Sequence, residues 1–375
     1  MPTDEVYILI DNGTSSMKVG LSTAYSPFII PTCIGYPKYR QMMGYFDMSK
    51  YFTDKEIRIG SSALYNRAVL KITYPIEKGI VNNWDDLEKI YNHIFTEELR
   101  VAPEEHNIML TESSLNPKEN REKFAQIFFE TYNVPGLYIA NQAILALNST
   151  GRSTGIVIDS GDSSTQIVPI YSNYCLSHAI DKLYFGGNDL TEYLFRLLHE
   201  INYRFNTSSE KEIIKSIKEK ACYVAENYEK EKQNIEYYRY ELPDGTYVCL
   251  KEHRIECPEA LFNPKLIGIE NSGIVDTCYN CIQKCDIDIK KDMYYNIILS
   301  GGNTSFKGLK ERFEIDMKNK VPLSIDVKVR ETENKITSVW LGAKAISQLS
   351  GMESSWITKE EYEESGATIV HRKCF

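Results

Sequence analysis

The sequence predicts an α/β fold built by internal duplication, and three observations carry that expectation. Two apolar runs end in matching turns, Ile8-Leu9-Ile10-Asp11-Asn12-Gly13-Thr14-Ser15-Ser16 near the start and Ile156-Val157-Ile158-Asp159-Ser160-Gly161-Asp162-Ser163-Ser164 in mid-chain. Each is followed by a short β-rich run, so each reads as a hairpin. A third apolar strand, Ile297-Ile298-Leu299, runs into Ser300-Gly301-Gly302, and between these landmarks strands and helices alternate twice. Helices suited to both faces of a sheet complete an α/β pattern with two similar halves.

The elements follow in order. After the first hairpin, strand-like sequence continues to Pro31. Tyr36 to Tyr51 mixes polar residues with methionines and aromatics and has no clean period. It reads either as a surface loop packing its own aromatics or as an adhesive loop, since Met and aromatic groups are favoured at interfaces. Tyr74 to Gly79 is a turn, and Asn83 caps a helix whose first turn holds Asp85 and Asp86, where the helix dipole favours acids. Ile108 to Glu112 is a buried strand. Asn116-Pro117 opens a helix with Pro at its tolerated first position, a strand spans Gly136 to Ile139, and a helix runs from about Asn141 to Ser149. Beyond the central hairpin, Phe185-Gly186-Gly187 enters an amphipathic helix through Leu190, Tyr193, Leu194, Leu197 and Leu198. Ser209 to Tyr223 is a charged helix, Glu226 to Arg239 an exposed polar connection, and Leu242 to Gly245 a hairpin turn. Cys278, Cys281 and Cys285 share one helix face with no fourth ligand nearby, the pattern of small thiols packed in a core. A further helix begins near Gly308.

Composition narrows the function. A chain of 375 residues with 42% hydrophobic content can bury a large core and favours more than one domain. A net charge of −9 and a pI near 5.4 argue against a protein that coats nucleic acid. The apolar runs are too short to span a bilayer. No secretory leader is evident at Met1 to Glu5, and nine cysteines with no export signal suit a reducing cytoplasm. No Walker lysine motif occurs, so the phosphate-binding loop of that class is excluded.

The paired turns carry the chemistry. Gly161 is expected to take positive φ and let the backbone approach a ligand. Amides around such a turn form an anion-binding nest, and the carboxylate at the strand end faces a bound cation. Two equivalent loops facing each other would hold a polyphosphate and its metal from both sides. The Ser300-Gly301-Gly302 junction offers bare backbone to a base or ribose.

These loops, together with Tyr74-Pro75-Ile76-Glu77, Asn83-Trp84-Asp85-Asp86, Leu99 to His106, Gly155 to Asp162 and the ending Gly366 to Phe375, resemble actin along the whole chain. The resemblance implies a two-lobed actin-like ATPase fold, with duplicated ribonuclease H-like mixed-sheet domains and an interlobe cleft holding ATP or ADP with Mg²⁺ or Ca²⁺. One lobe would comprise residues 1–149 and 338–375, with 33–74 as its small subdomain, and the other 150–337, with 186–269 as its small subdomain. By similarity Asp11, Gln142 and Asp159 hold the metal, mostly through water, and Gln142 orients the attacking water. Lys18 and the amides of Gly13, Thr14, Ser15 and Ser16 contact the phosphates, opposite Ser160, Gly161, Asp162 and Ser163. Gly187, Lys218, Glu219, Gly301, Gly302, Asn303 and Phe306 surround the nucleoside.

Departures from the family pattern shape the expected activity. Gln166 stands where a histidine helps order the attacking water, Ser15 and Ser163 replace glycines, and Ile336 replaces a lysine for which Lys335 substitutes. Retained binding with slow or altered hydrolysis is therefore expected, with Asp11, Gln142, Asp159 and Gln166 as the catalytic set. The resemblance also implies head-to-tail self-association, a heterologous contact that does not close, with Met43, Tyr45 and Phe46 as anchors in a lengthened loop and Leu266-Ile267-Gly268-Ile269 as an apolar plug. Actin-binding proteins would dock near Asn148, Gly151, Leu341, Ala345 and Leu349, where Asn148 and Ala345 depart from the usual residues. An acidic pair is missing near Ala24-Tyr25, which weakens docking of a motor, and Lys78 replaces a histidine the family often methylates. A cytoplasmic cytoskeletal polymer is the first reading. A non-polymerising actin-related subunit of a chromatin or motor complex, with nuclear residence open to it, is the alternative. Neither reading contacts nucleic acid directly or inserts in a membrane, and no sugar pocket or peptide-binding domain supports a kinase or a chaperone.

Overall fold

A computed structural model describes residues 5–38, 57–203, 205, 208–242, 245–349 and 351–374. The adhesive-loop residues Met43, Tyr45 and Phe46 lie outside the described residues. The chain divides into two compact units, one made of Met1–Gly151 with Thr337–Phe375 and the other of Arg152–Ile336.

The first unit is built on a six-stranded mixed sheet. Its strands run in the order Ile357–Thr358, Gly136–Asn141, Ile108–Glu112, Ile8–Asp11, Ser16–Leu21 and Phe28–Pro31. The central three are parallel, and Ile8–Asp11 turns back antiparallel into Ser16–Leu21 with Asp11 opposite Lys18. A strand covered on both faces must be apolar throughout. Accordingly Ile8, Leu9, Ile10, Ile108, Met109 and Leu110 are buried. The Trp84–His93 helix begins as expected, with the Asn83 side chain accepting from the Asp86 amide at 3.1 Å. Pro117 is the cap of the Lys118–Gln126 helix and not its first residue, because its ψ of 141° is extended. The Gln142–Asn148 helix packs against Ser338–Ser347 so closely that a Cβ on Gly342 would stand 1.9 Å from the Leu145 carbonyl oxygen. A three-stranded sheet of Arg58–Ile59, Ile34–Pro37 and Leu70–Thr73 completes this unit's larger pairings.

The second unit repeats the plan. Gly155–Ser160 pairs antiparallel with Thr165–Tyr171 and parallel with Ile297–Ser300, which pairs parallel with Val329–Glu331. In each unit, then, an apolar strand with Asp at or next to its end has its return strand on one side and a parallel strand on the other. The core beneath gathers Ile156, Ile158, Leu190, Leu194, Leu198 and Leu299. Cys278 and Cys281 belong to it, and Cys285 is buried as well. Burial pushes the Cys278 thiol well above its ordinary value and that of Cys281 up to about 12. They pack as neutral thiols. The polar stretch from Glu226 is not a simple exposed connection. It forms a helix, Tyr228–Asn234, capped by Asn227, and then the strand Tyr238–Glu241, anchored where Ile235 packs with Ile255. Leu266, Ile267 and Ile269 lie half-buried against the core, with Gly268 at φ 79°.

Candidate functional site

In the first unit the Asp-ended hairpin gathers polar groups at the carboxyl ends of three parallel strands, where ligands of open α/β sheets bind. Asp11 ends its strand almost buried, at 3% exposure. Thr111, on the neighbouring strand, donates to Asp11 Oδ1 at 2.7 Å, and Gln142 Nε2 donates to the same oxygen at 3.0 Å. Thr111 Oγ1 also accepts from the Asn12 amide at 3.0 Å and from Gln142 Nε2 at 3.2 Å. Gln142 reaches this point because it is the first residue of a helix that follows the Gly136–Asn141 strand directly, with Asn141 as its cap. With its nitrogen turned to Asp11, the carboxamide oxygen remains to accept from a water or meet a cation. Lys18 Nζ lies 3.8 Å from Asp11 Oδ2 and donates to the Ser16 carbonyl at 3.2 Å, so a cation sits over the turn.

The turn itself is tight. A Cβ on Gly13 would stand 2.3 Å from Ser16 O. Thr32 pins the far side, its hydroxyl donating to Gly13 O at 2.7 Å and its amide to Ser15 O at 3.0 Å. Neither Ser15 nor Ser163 has positive φ, so neither position needs a glycine for its backbone conformation. Thr14 and Ser16 complete the loop on ordinary dihedrals.

In the second unit Asp159 stands opposite Gln166 in register on one side and Ser300 on the other. Residues directly opposite in an antiparallel pair share a face, so Asp159 and Gln166 project together. The expectation for Gly161 needs correcting. It is absent from the positive-φ residues, and a Cβ there would meet only Ser164 O, at 3.6 Å. The steric demand has moved to Gly186, where a Cβ would lie 2.7 Å from the carbonyl oxygens of both Gly161 and Asp162. Those carbonyls accept from the Gly187 and Asn188 amides at 3.0 and 2.7 Å, which seats the head of the Gly187–Glu200 helix on the loop. Asn303 braces the same loop, donating to Gly161 O at 2.7 Å and Ser160 Oγ at 3.2 Å.

Gly187, Asp162, Asn303 and Lys218 converge. A Cβ on Gly187 would stand 2.8 Å from Asn303 Oδ1 and 3.2 Å from both Asp162 Oδ1 and Lys218 Nζ. Lys218 is 3% exposed and donates to Gly187 O at 2.6 Å. Burial pulls its ammonium below the ordinary lysine value, against the opposing pull of Cys257 and Asp162. A buried cation is costly unless compensated, and the nearby Asp162 carboxylate supplies part of that compensation.

Gly301 has φ 86°, and a Cβ there would meet Ser160 O at 2.3 Å and Asp159 Oδ1 at 2.8 Å. A Cβ on Gly302 would meet nothing within 4 Å, so the space beside it is open. Lys335 closes this junction: its carbonyl accepts from the Gly301 amide at 3.0 Å and its ammonium donates to Thr304 O at 2.7 Å and Glu331 at 2.5 Å. Glu219 and Phe306 line a cavity of about 570 Å³ with Tyr223, Arg254 and Lys307.

Sequence reasoning missed Thr111 and Asn12. Their signal was a lone polar residue at the carboxyl end of an apolar strand and the residue between Asp and Gly, neither of which marks a role until the strands are neighbours. The residues expected to meet partner proteins, Asn148, Gly151, Leu341, Ala345 and Leu349, belong to the first unit, on or just beyond its two close-packed helices, with Ala345, Gly151 and Leu349 exposed. No described helix is long and apolar enough to cross a membrane.

A family model described as actin matches residues 3–375. With two Asp-ended hairpins of the same topology in one mixed α/β chain, that match along essentially its whole length settles the kinship: the chain belongs to the actin family.

Proposed function

We propose that this chain binds ATP or ADP with Mg²⁺ through its hairpin loops, and polymerises head-to-tail as a cytoplasmic cytoskeletal protein with slow hydrolysis coupled to assembly. The observation that carries the reading is the Asp11–Thr111–Gln142 cluster beside Lys18. It supplies what a hydrated divalent cation and a phosphate both need: oxygen donors fixed by hydrogen bonds, a cation, and loop amides.

The residues fit that ligand. Asp11, Asp159 and the free oxygen of Gln142 are hard oxygen donors suited to Mg²⁺. Lys18 and the amides of Gly13, Thr14, Ser15 and Ser16 suit phosphate, as do those of Ser160, Gly161, Asp162 and Ser163. Gly187, Lys218, Glu219, Gly301, Gly302, Asn303, Phe306 and Lys335 take the nucleoside side. When bound, the metal neutralises phosphate charge. Gln142 and Gln166 each offer an amide that would hydrogen-bond a water without accepting its proton near neutral pH, and slow turnover would follow. The test is sedimentation and electron microscopy of the full chain in Mg²⁺ and ATP, with phosphate release followed in parallel. Filaments with delayed phosphate release support the reading; absence of Mg-dependent nucleotide binding defeats it.

A second reading makes the chain a non-polymerising subunit of a larger complex, nuclear or motor-associated, with ATP as a structural ligand. What favours it is the docking face, where Asn148 and exposed Ala345 depart from the family pattern. Nucleotide binding without filaments would select it.

A further inference from the structure

Just before the Ile297–Ser300 strand, at the end remote from Ser300, Tyr295 closes the Lys290–Tyr295 helix and is 38% exposed. Two cations share its ring, the Lys328 ammonium 5.0 Å and the Arg330 guanidinium 5.1 Å from the centroid. Lys328 Nζ also donates to the tyrosine hydroxyl at 3.5 Å. Both cations come from the stretch around Val329–Glu331, the last strand of its sheet, and their alternate spacing puts them on one face.

Among the described residues no acid balances this pair. Glu331 is engaged elsewhere, with Lys335 at 2.5 Å and Lys310 at 3.9 Å. Neither Lys328 nor Arg330 forms an ion pair with a described residue, and Arg330 Nε is buried without a hydrogen-bond partner. A neutral phenol cannot compensate two positive charges. A phosphoryl group on that phenol can, through new charge-assisted hydrogen bonds to both cations.

We propose that Tyr295 is a phosphoryl-acceptor site whose phosphorylated form is held by Lys328 and Arg330. The donor is ATP bound by a separate tyrosine kinase. The phenolic oxygen bonds to the γ-phosphorus, the bond to the β,γ-bridging oxygen breaks, ADP leaves with that electron pair, and the phenolic proton passes to the kinase's base. Hydrogen bonding from Lys328, then its charge and the contacts of Arg330, hold the phenol below the ordinary tyrosine value and favour that proton loss. The product would fasten the end of the helix to the sheet edge.

The test treats the full chain with a purified tyrosine kinase domain and Mg-ATP, maps the label by mass spectrometry, and prepares a second sample with phosphotyrosine encoded at position 295. Phosphorus NMR then reads the second ionisation of the phosphoryl group, ordinarily near 6. The expected result is labelling of Tyr295, lost in Tyr295→Phe, and a second ionisation about half a unit or more lower, restored by Lys328→Gln with Arg330→Gln. The proposal is overturned by labelling that spares Tyr295, by an ordinary ionisation in the encoded sample, or by a shift that survives the double substitution. Inorganic phosphate that binds Tyr295→Phe protein through Lys328 and Arg330 would equally overturn it, in favour of a free-anion site.

Discussion

Asp159 and Gln166 stand opposite one another across the second hairpin as Asp11 and Lys18 do across the first. Equivalent positions in a duplicated plan thus carry an ammonium in one unit and a neutral amide in the other. An amide orients water without accepting its proton.

Gln166→His supplies an acceptor on the same face as Asp159. Phosphate release should rise about tenfold or more. Because imidazole accepts a proton only when neutral, the gain should appear as pH rises through roughly 6.5 and be absent at lower pH. Single-turnover phosphate release across that range checks both. A rate unchanged at every pH would remove Gln166 from the reaction.

Thr111→Val removes a hydroxyl that serves Asp11, the Asn12 amide and Gln142 together. Asp11 is left buried and Asn12 and Gln142 half-buried, and the cost should be about 1–3 kcal/mol. Chemical denaturation measures it, and nucleotide exchange should quicken because Asp11 and Gln142 lose their shared tether.

Two adjacent glycines should answer oppositely to alanine. Gly301→Ala forces a side chain into left-handed backbone against Ser160 O and should destabilise by about 1–3 kcal/mol or more. Gly302→Ala enters open space and should leave folding nearly unchanged. Urea unfolding of the two variants decides the matter; equal losses would mean that the turn is not as described.

Lys218 links stability to pH. Its folded value is lowered by burial, so in the interval below the ordinary lysine value near 10.4 the unfolded chain holds the proton more strongly. Stability from this group therefore rises with pH through that interval and is constant well below it. The difference in melting temperature between the nucleotide-free protein and Lys218→Met should show that rise, and Lys218→Met should bind nucleotide more weakly.

The hairpins, the Asn83 cap and the apolar strands were legible because each is local: a turn residue, a cap and a run of buried side chains report on themselves. The role of Gly161 was not. The glycine that the fold cannot replace is Gly186, whose crowding comes from carbonyls some twenty-five positions earlier. Thr111 and Asn12 were hidden for the same reason, since their partners arrive through strand pairing. The Tyr228–Asn234 helix escaped because it lacks an apolar stripe and is held by its Asn227 cap and by Ile235 beyond its end.

The seven-residue Gln142–Asn148 helix is about 10 Å long. Its head carries the carboxamide bound to Asp11 and its tail carries Asn148, while the bare Gly342–Leu145 contact leaves no slack for it to slide against its neighbour. A shift of Asp11 would therefore be carried through the Gln142 carboxamide to a helix already locked against its neighbour. If the chain works as proposed, Asn148 and Ala345 are where a bound protein would sense that shift.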